Sequence, residues 1–266
     1  MKLGPWFIAL ALLGPGAHAA EVGFFCSFEE SPTDCGFHEQ AKVKGRATLV
    51  DIARDGSKAV RLHTQPGDSN VSGSGARERN DLRLSHSATD CYEGREHWWA
   101  HSILFPDDYR RPVGRESGLV ADFHHTGSLG QANFNLSSRA DGLHFMGAGG
   151  PDVAANARSA GVYQAFVGPI VKNVWYDFVY HVRWSSRDDG FFYAWVNGER
   201  KLAHRGPTLY AGMGCYLKLA NYHSPSGYPN SVIHDRVIRG SSARAVAPGP
   251  LQGIGRSIAA RRAISD

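Results

Sequence analysis

Apolar and polar residues alternate with period two through much of this chain, and that pattern predicts short β-strands. Strand-like runs occupy Ala59 to Leu62, Trp98 to Phe105, Leu119 to Phe123, Phe134 to Leu136, Phe178 to Trp184 and Phe191 to Val196. Turn signals separate them, among them Asp141-Gly142, Asp189-Gly190 and Asn197-Gly198. No long helical period competes. Many short strands joined by close turns predict an all-β sandwich or jelly roll, whose concave sheet offers a groove to an extended ligand. The Gly/Ala-rich stretch from Gly147 to Gly161 is expected to loop over that groove.

Three segments sort their residues by chemistry onto two strand faces. In YLKLANYH, Tyr216, Lys218, Ala220 and Tyr222 share one face while Leu217 and Leu219 share the other. In RNDLR, Arg79, Asp81 and Arg83 oppose Leu82 and the flanking Leu84. In LVADFHH, Val120, Asp122 and His124 alternate against Leu119, Ala121, Phe123 and His125. Together they offer Arg, Asp, His, Lys and Tyr, the inventory of a site that handles a carboxylate and moves protons.

These segments resemble the three motifs of the jelly-roll polysaccharide lyases that cleave uronic-acid polymers, written RTELR, QIH and YFKAGVYNQ in alginate lyases. Here they read RNDLR at Arg79 to Arg83, DFH at Asp122 to His124 and YLKLANYH at Tyr216 to His223, in the same order. The text around HWWAHSILFPDDY (His97 to Tyr109) and Trp175 to Gly198 is more similar to heparin lyase I and glucuronan lyase. The resemblance spans roughly Phe24 to Gly240. It implies β-elimination: a proton leaves C5 of a uronate, charge spreads onto the carboxylate, and the oxygen on C4 departs with a proton. Arg79 or Arg83 would hold the carboxylate with a planar fork. Tyr222 would serve as acid, and as base if nearby cations favour its phenolate. His124 would be a base on the opposite face of the sugar or help neutralise the carboxylate. Lys218, about 13 Å along the strand from Tyr222, is placed for a neighbouring sugar, with Tyr216 and Arg77 as further binding residues.

One position departs from the motif. Asp122 stands where the family has a glutamine or asparagine, and an ionised carboxylate would repel the substrate unless it is protonated or paired. Pairing with Arg79 or Arg83 is the expectation. Gln131, Asn133 and Asn135 alternate on the next predicted strand, and any of them can supply the missing amide. Because of Asp122, a non-catalytic carbohydrate-binding jelly-roll module remains the alternative. Jelly-roll hydrolases that carry Glu-x-Asp-x-x-Glu on one strand face are disfavoured, since no such string occurs.

Residues 1–20 pair Lys2 with an apolar run from Trp6 to Leu13 and a small-residue ending at Ala17-His18-Ala19, the form of a cleaved secretory signal too short to span a membrane. The protein is therefore expected to be secreted or periplasmic, with one domain over 21–240 and a mobile tail over 241–266. Export gives the four cysteines a meaning as two disulfides. Three connectivities are possible; the short loop favours Cys26 with Cys35, which leaves Cys91 with Cys215. No Cys-x-x-Cys spacing suggests zinc, a structural calcium is not indicated, and no cofactor is expected. The chain has 29 basic and 25 acidic residues. Without Lys2 and the tail residues Arg244, Arg256, Arg261, Arg262 and Asp266, 24 of each remain. A neutral domain lacks the footprint of a nucleic-acid binder, so an acidic polysaccharide would be met by local clustering at Arg77, Arg79 and Arg83. Dense sulfation would call for more cations, which favours unsulfated glucuronan or alginate over heparin. A monomer is expected.

Overall fold

Among the residues that the computed structural model describes, 21–71, 75–127, 131–151 and 163–248, the period-two alternation is realised as two antiparallel sheets packed face to face. The strands are β1 Val22–Cys26, β2 His38–Ala41, β3 Ala47–Val50, β4 Ala59–Thr64, β5 Glu78–Arg83, β6 Glu96–Leu104, β7 Gly118–His125 and β8 Phe134–Arg139. They continue as β9 Gly142–Gly147, β10 Tyr163–Gly168, β11 Trp175–Arg183, β12 Phe191–Val196, β13 Glu199–Arg205, β14 Cys215–His223 and β15 Asn230–Gly240. Two single-turn helices, α1 His86–Thr89 and α2 Ala243–Val246, sit at the margins. One sheet has the order β13-β12-β11-β6-β15-β4-β3, with β1 added to β15; the other runs β10-β9-β8-β7-β14-β5-β2. This is the expected all-β jelly roll.

Alternation decides which side chains enter the space between the sheets. β12 shows it plainly: Phe192, Ala194 and Val196 are buried while Phe191, Tyr193 and Trp195 are only partly covered. The core is aromatic, with Phe134 stacked on Phe192 at 4.1 Å and Phe123 packed on Trp184 at 5.1 Å. Each such ring contributes about 1.5 to 3 kcal/mol through burial, so the sandwich rests chiefly on this layer. The Asn197-Gly198 signal is a turn in which both residues take left-handed φ, 50° and 83°, as a two-residue hairpin requires.

Both expected disulfides are present, Cys26–Cys35 and Cys91–Cys215. The second ties the start of β14 to the segment before β6.

The first residues of the expected tail, 241–248, are packed on the domain. Ser242 caps α2 by accepting a hydrogen bond from the Ala245 amide, and Val246 is fully buried against Ala100 and Ile238. Arg236 secures the following turn by donating to the Val246 and Ala247 carbonyls at 3.1 and 2.6 Å. Loss of strand alternation at Ser241 therefore marks a change of element rather than release of the chain. The expected leader, residues 1–20, lies outside the described residues, as do residues 249–266 and most of the Gly147 to Gly161 stretch. No helix among the described residues is long and apolar enough to cross a membrane.

Candidate active site

β5, β14 and β7 are neighbours in the seven-stranded sheet, and this order alone brings the three polar segments onto one surface. Along one edge of β14, Lys218 lies opposite Arg83, Ala220 opposite Asp81 and Tyr222 opposite Arg79. Along the other, Tyr216 lies opposite His124 and Lys218 opposite Asp122. Leu217 and Leu219 point into the core. Over the outward residues runs a groove of about 920 Å³ lined by Arg77, Arg79, Arg83, Asp122, His124, Tyr216, Lys218 and Tyr222, with Gln131 and Asn135 at its flank.

Two tyrosines organise two clusters. Around Tyr222, the guanidinium carbons of Arg77 and Arg79 stand 4.6 and 4.4 Å from the ring centroid. Arg77 also donates to the Ser117 carbonyl at 2.8 Å, which braces it. The Nε of Arg79 lies 3.0 Å from Asp81 Oδ2. Asp81 is wholly buried, and burial pushes its carboxyl up to about 6 against the pull of Arg79 and Lys218.

Around Tyr216, Arg83 sits 4.2 Å and the Lys218 ammonium 5.5 Å from the ring centroid, and the His124 ring stacks at 5.4 Å. His124 Nδ1 lies 2.9 Å from the His125 carbonyl oxygen. A carbonyl can only accept, so Nδ1 carries the proton and Nε2 the lone pair. Burial lowers the His124 pKa, with Asp122 opposing, and the neutral ring is favoured.

Asp122 does not pair with Arg79 or Arg83 as expected. Its partner is Lys218, with Nζ 3.8 Å from Oδ2 and the two residues only 4% and 2% exposed. Register is the reason: Lys218 is directly across from Asp122, whereas Arg79 shares a strand face with Asp81, two residues on. The other Asp122 oxygen, Oδ1, is buried with no hydrogen-bond partner among the described residues.

The structure also separates two residues expected to act on one sugar. Tyr222 is six positions along β14 from Tyr216, which faces His124, so about 20 Å of strand lies between the two levels. His124 belongs with Tyr216, Arg83 and Lys218; Tyr222 belongs with Arg77 and Arg79.

A register shift in β7 between Leu119 and Ala121 resets the alternation there. Leu119 lines the groove and Val120 joins Ala121 in the core, the reverse of the expected faces. Asn133 also turns away: it is fully buried and donates to the Ala148 carbonyl at 3.2 Å. Asn135, opposite Asp122, accepts from Ser137 Oγ at 2.8 Å through its Oδ1, which leaves its amide nitrogen to donate elsewhere. Gln40, Arg139 and Met146 line the groove without having been singled out. Gln40 comes from the four-residue strand β2, whose place beside β5 no local pattern reveals. Among the described residues no three His, Cys, Asp or Glu side chains gather as a metal site.

Comparison with known proteins identifies the family and the fold. The family model for polysaccharide lyases matches residues 33–238. No curated protein matches the sequence. In fold, the chain is similar to an endo-β-1,4-glucuronan lyase from the fungus Trichoderma reesei, at a TM-score of 0.67 and 13% identity over 86% of this chain and 99% of that one. It is also similar to a carbohydrate esterase of the Shiga toxin-encoding bacteriophage phi24B, at a TM-score of 0.51 and 13% identity over 84% and 99%. An alginate lyase mutant, Aly36B in complex with an alginate trisaccharide, gives a TM-score of 0.50 and 13% identity over 84% and 93%. These three share the sandwich, while the match over 33–238 goes further: the chain belongs to the polysaccharide lyase family.

Proposed function

We propose that this lyase acts on an unsulfated polyuronate, glucuronan or alginate, and that Tyr222 carries the proton on both legs of the elimination. The observation that carries the reading is Tyr222 held in the groove between Arg77 and Arg79. In its base form the tyrosine oxygen takes the C5 proton. The electrons released form the C4–C5 double bond as the C4–O bond breaks, and the same oxygen returns the proton to the leaving group. Two cations against the ring offset the charge that the oxygen bears before the first transfer. Arg79 is also within reach to draw carboxylate charge through its planar fork.

His124, Tyr216 and Arg83 then hold a neighbouring sugar. Two of the groove cations, Arg79 and Lys218, are offset by Asp81 and Asp122. That balance supports a polymer with one charge per sugar over a densely sulfated one. Fold similarity to a glucuronan lyase supports the same class. Both disulfides support an exported protein, as the leader suggests.

Incubating the protein with a panel of uronate polymers and reading ultraviolet absorbance tests the proposal. Unsaturated product from glucuronan or alginate, with little from heparin, is expected. New reducing ends without that absorbance would mean hydrolysis and would sink the mechanism.

A further inference from the structure

The eight-stranded sheet faces away from the groove, and its outer surface carries aromatic rings the elimination does not use. Register places Trp98 of β6 opposite His181 of β11, and His181 opposite Tyr193 of β12. Trp195 lies opposite Val179 in the adjoining row. The rings touch: Trp98 stacks on His181 at 4.1 Å and on Trp195 at 5.6 Å, and Phe191 stacks on Tyr193 at 5.0 Å. Alternation assigns the core to Trp99, Tyr180 and Phe192, so these outer rings lie outside the layer between the sheets, and Trp98 alone among them also packs against the small cluster of Ala100, Ile238 and Val246. All remain partly open to solvent. A contiguous aromatic patch on a solvent face costs hydration and invites association, so its presence calls for an occupant.

The charges at its edge indicate which. Arg200 lies opposite Trp195, and the Arg205 guanidinium carbon sits 5.7 Å from the Tyr193 ring centroid. Both arginines are exposed and neither has an acidic partner among the described residues, while the carboxylate of Glu96 beside the rings is engaged by His181 at 2.8 Å and Arg183 at 4.0 Å. Flat rings suit the C–H faces of pyranose sugars, and the neighbouring forks suit carboxylates. We infer that this outer face is a second binding site for an acidic polysaccharide, remote from the groove and independent of turnover. The chemical class of polymer rests on the function proposed above; the site itself does not.

The test is native electrophoresis through gels containing glucuronan or alginate, using the full chain. Retardation of the Tyr222→Phe variant is expected, because binding needs no chemistry. Combining Trp195→Ala with Arg205→Glu should weaken the apparent affinity by about five- to tenfold. In the parent background the same pair should leave turnover of short oligosaccharides and the melting temperature unchanged, and Trp195→Tyr should bind as the parent does. Unchanged retardation in the double variant, or none in the parent, would overturn the inference. So would sedimentation showing that the double variant dissociates a dimer, since the occupant would then be a second copy of the chain. Failure of the lyase reading would appear separately, as absence of unsaturated product with retardation intact.

Discussion

Arg79 links Tyr222 to Asp81: its guanidinium carbon is 4.4 Å from the tyrosine ring centroid while its Nε is 3.0 Å from the aspartate. One side chain thus sets the charge beside the proposed proton carrier and is the ion-pair partner of a carboxylate that has no access to water. The two duties can be separated by substitution.

Tyr222→Phe removes one oxygen and leaves the ring that Arg77 and Arg79 face. Stability and polymer binding should stay close to the parent, while kcat falls by roughly 10² to 10⁴. Ultraviolet detection of unsaturated product measures this, and activity within a few-fold of the parent would remove Tyr222 from the chemistry.

Arg79→Lys keeps a cation for Asp81 and loses the planar fork. The melting temperature should change little, whereas kcat/KM should fall by about 10² if the fork draws off carboxylate charge. Arg79→Ala should add a stability loss of about 3 kcal/mol or more, because it strands the buried Asp81 charge. Equal activity of the lysine variant and the parent would show that Arg79 serves structure alone.

The sequence made the sandwich legible because core and solvent faces alternate so plainly in strands such as β12. Strand order is a long-range property, yet the polar faces of RNDLR, LVADFHH and YLKLANYH anticipated that β5, β7 and β14 share a surface. Register was not legible. Nothing local says that Lys218 meets Asp122, or that His124 meets Tyr216 rather than Tyr222, since pairing depends on how far each strand slides. The bulge at Leu119 was hidden because one extra residue inverts the faces without altering composition, and Asn133 turned inward because it lies in the bend before β8, where strand alternation does not apply. At Val246, one buried apolar side chain after the last strand gave too short a signal to predict packing.

Lys218 and Asp122 offer a test of that register. Lys218→Met should destabilise the protein by about 3 kcal/mol, since it leaves a buried carboxylate without its counter-ion. Adding Asp122→Asn to it should restore most of the loss, and Asp122→Asn alone should keep activity within about tenfold of the parent. Chemical denaturation of the three variants measures the coupling. Additive effects would mean the two groups do not interact.

The Cys91–Cys215 bridge closes a loop across 124 residues of sequence separation, long enough to contribute about 4 to 5 kcal/mol through the entropy of the unfolded chain. Cys26–Cys35 spans only nine and should contribute less. Reduction should therefore lower the melting temperature, and Cys91→Ala with Cys215→Ala should reproduce most of the effect. If the Cys26→Ala, Cys35→Ala variant proves the less stable of the two, the loop-entropy account is wrong.

A histidine inside the sandwich should make stability depend on pH. Burial pushes His101 down to about 3, with His234 adding to the effect, and its Nε2 lies 2.7 Å from the Tyr180 hydroxyl oxygen. The unfolded chain binds a proton at this residue below about 6.5, the ordinary histidine value, whereas the folded chain does not until about 3. Its stabilising contribution is therefore complete above 6.5 and is lost as pH falls through the window down to 3. Asp235, pushed up to about 7 by burial, acts in the opposite sense, because the folded chain holds that proton while the unfolded chain releases it above 3.8. Asp81 does the same up to about 6. The total stability curve can thus look flat although its parts are large, and a difference between proteins isolates one part. His101→Gln retains a hydrogen-bonding side chain and removes the titration. Relative to the parent it should gain about 2 kcal/mol between pH 6.5 and pH 5, measured by denaturant unfolding at each pH. A difference that does not change with pH would show that His101 is not held neutral by burial.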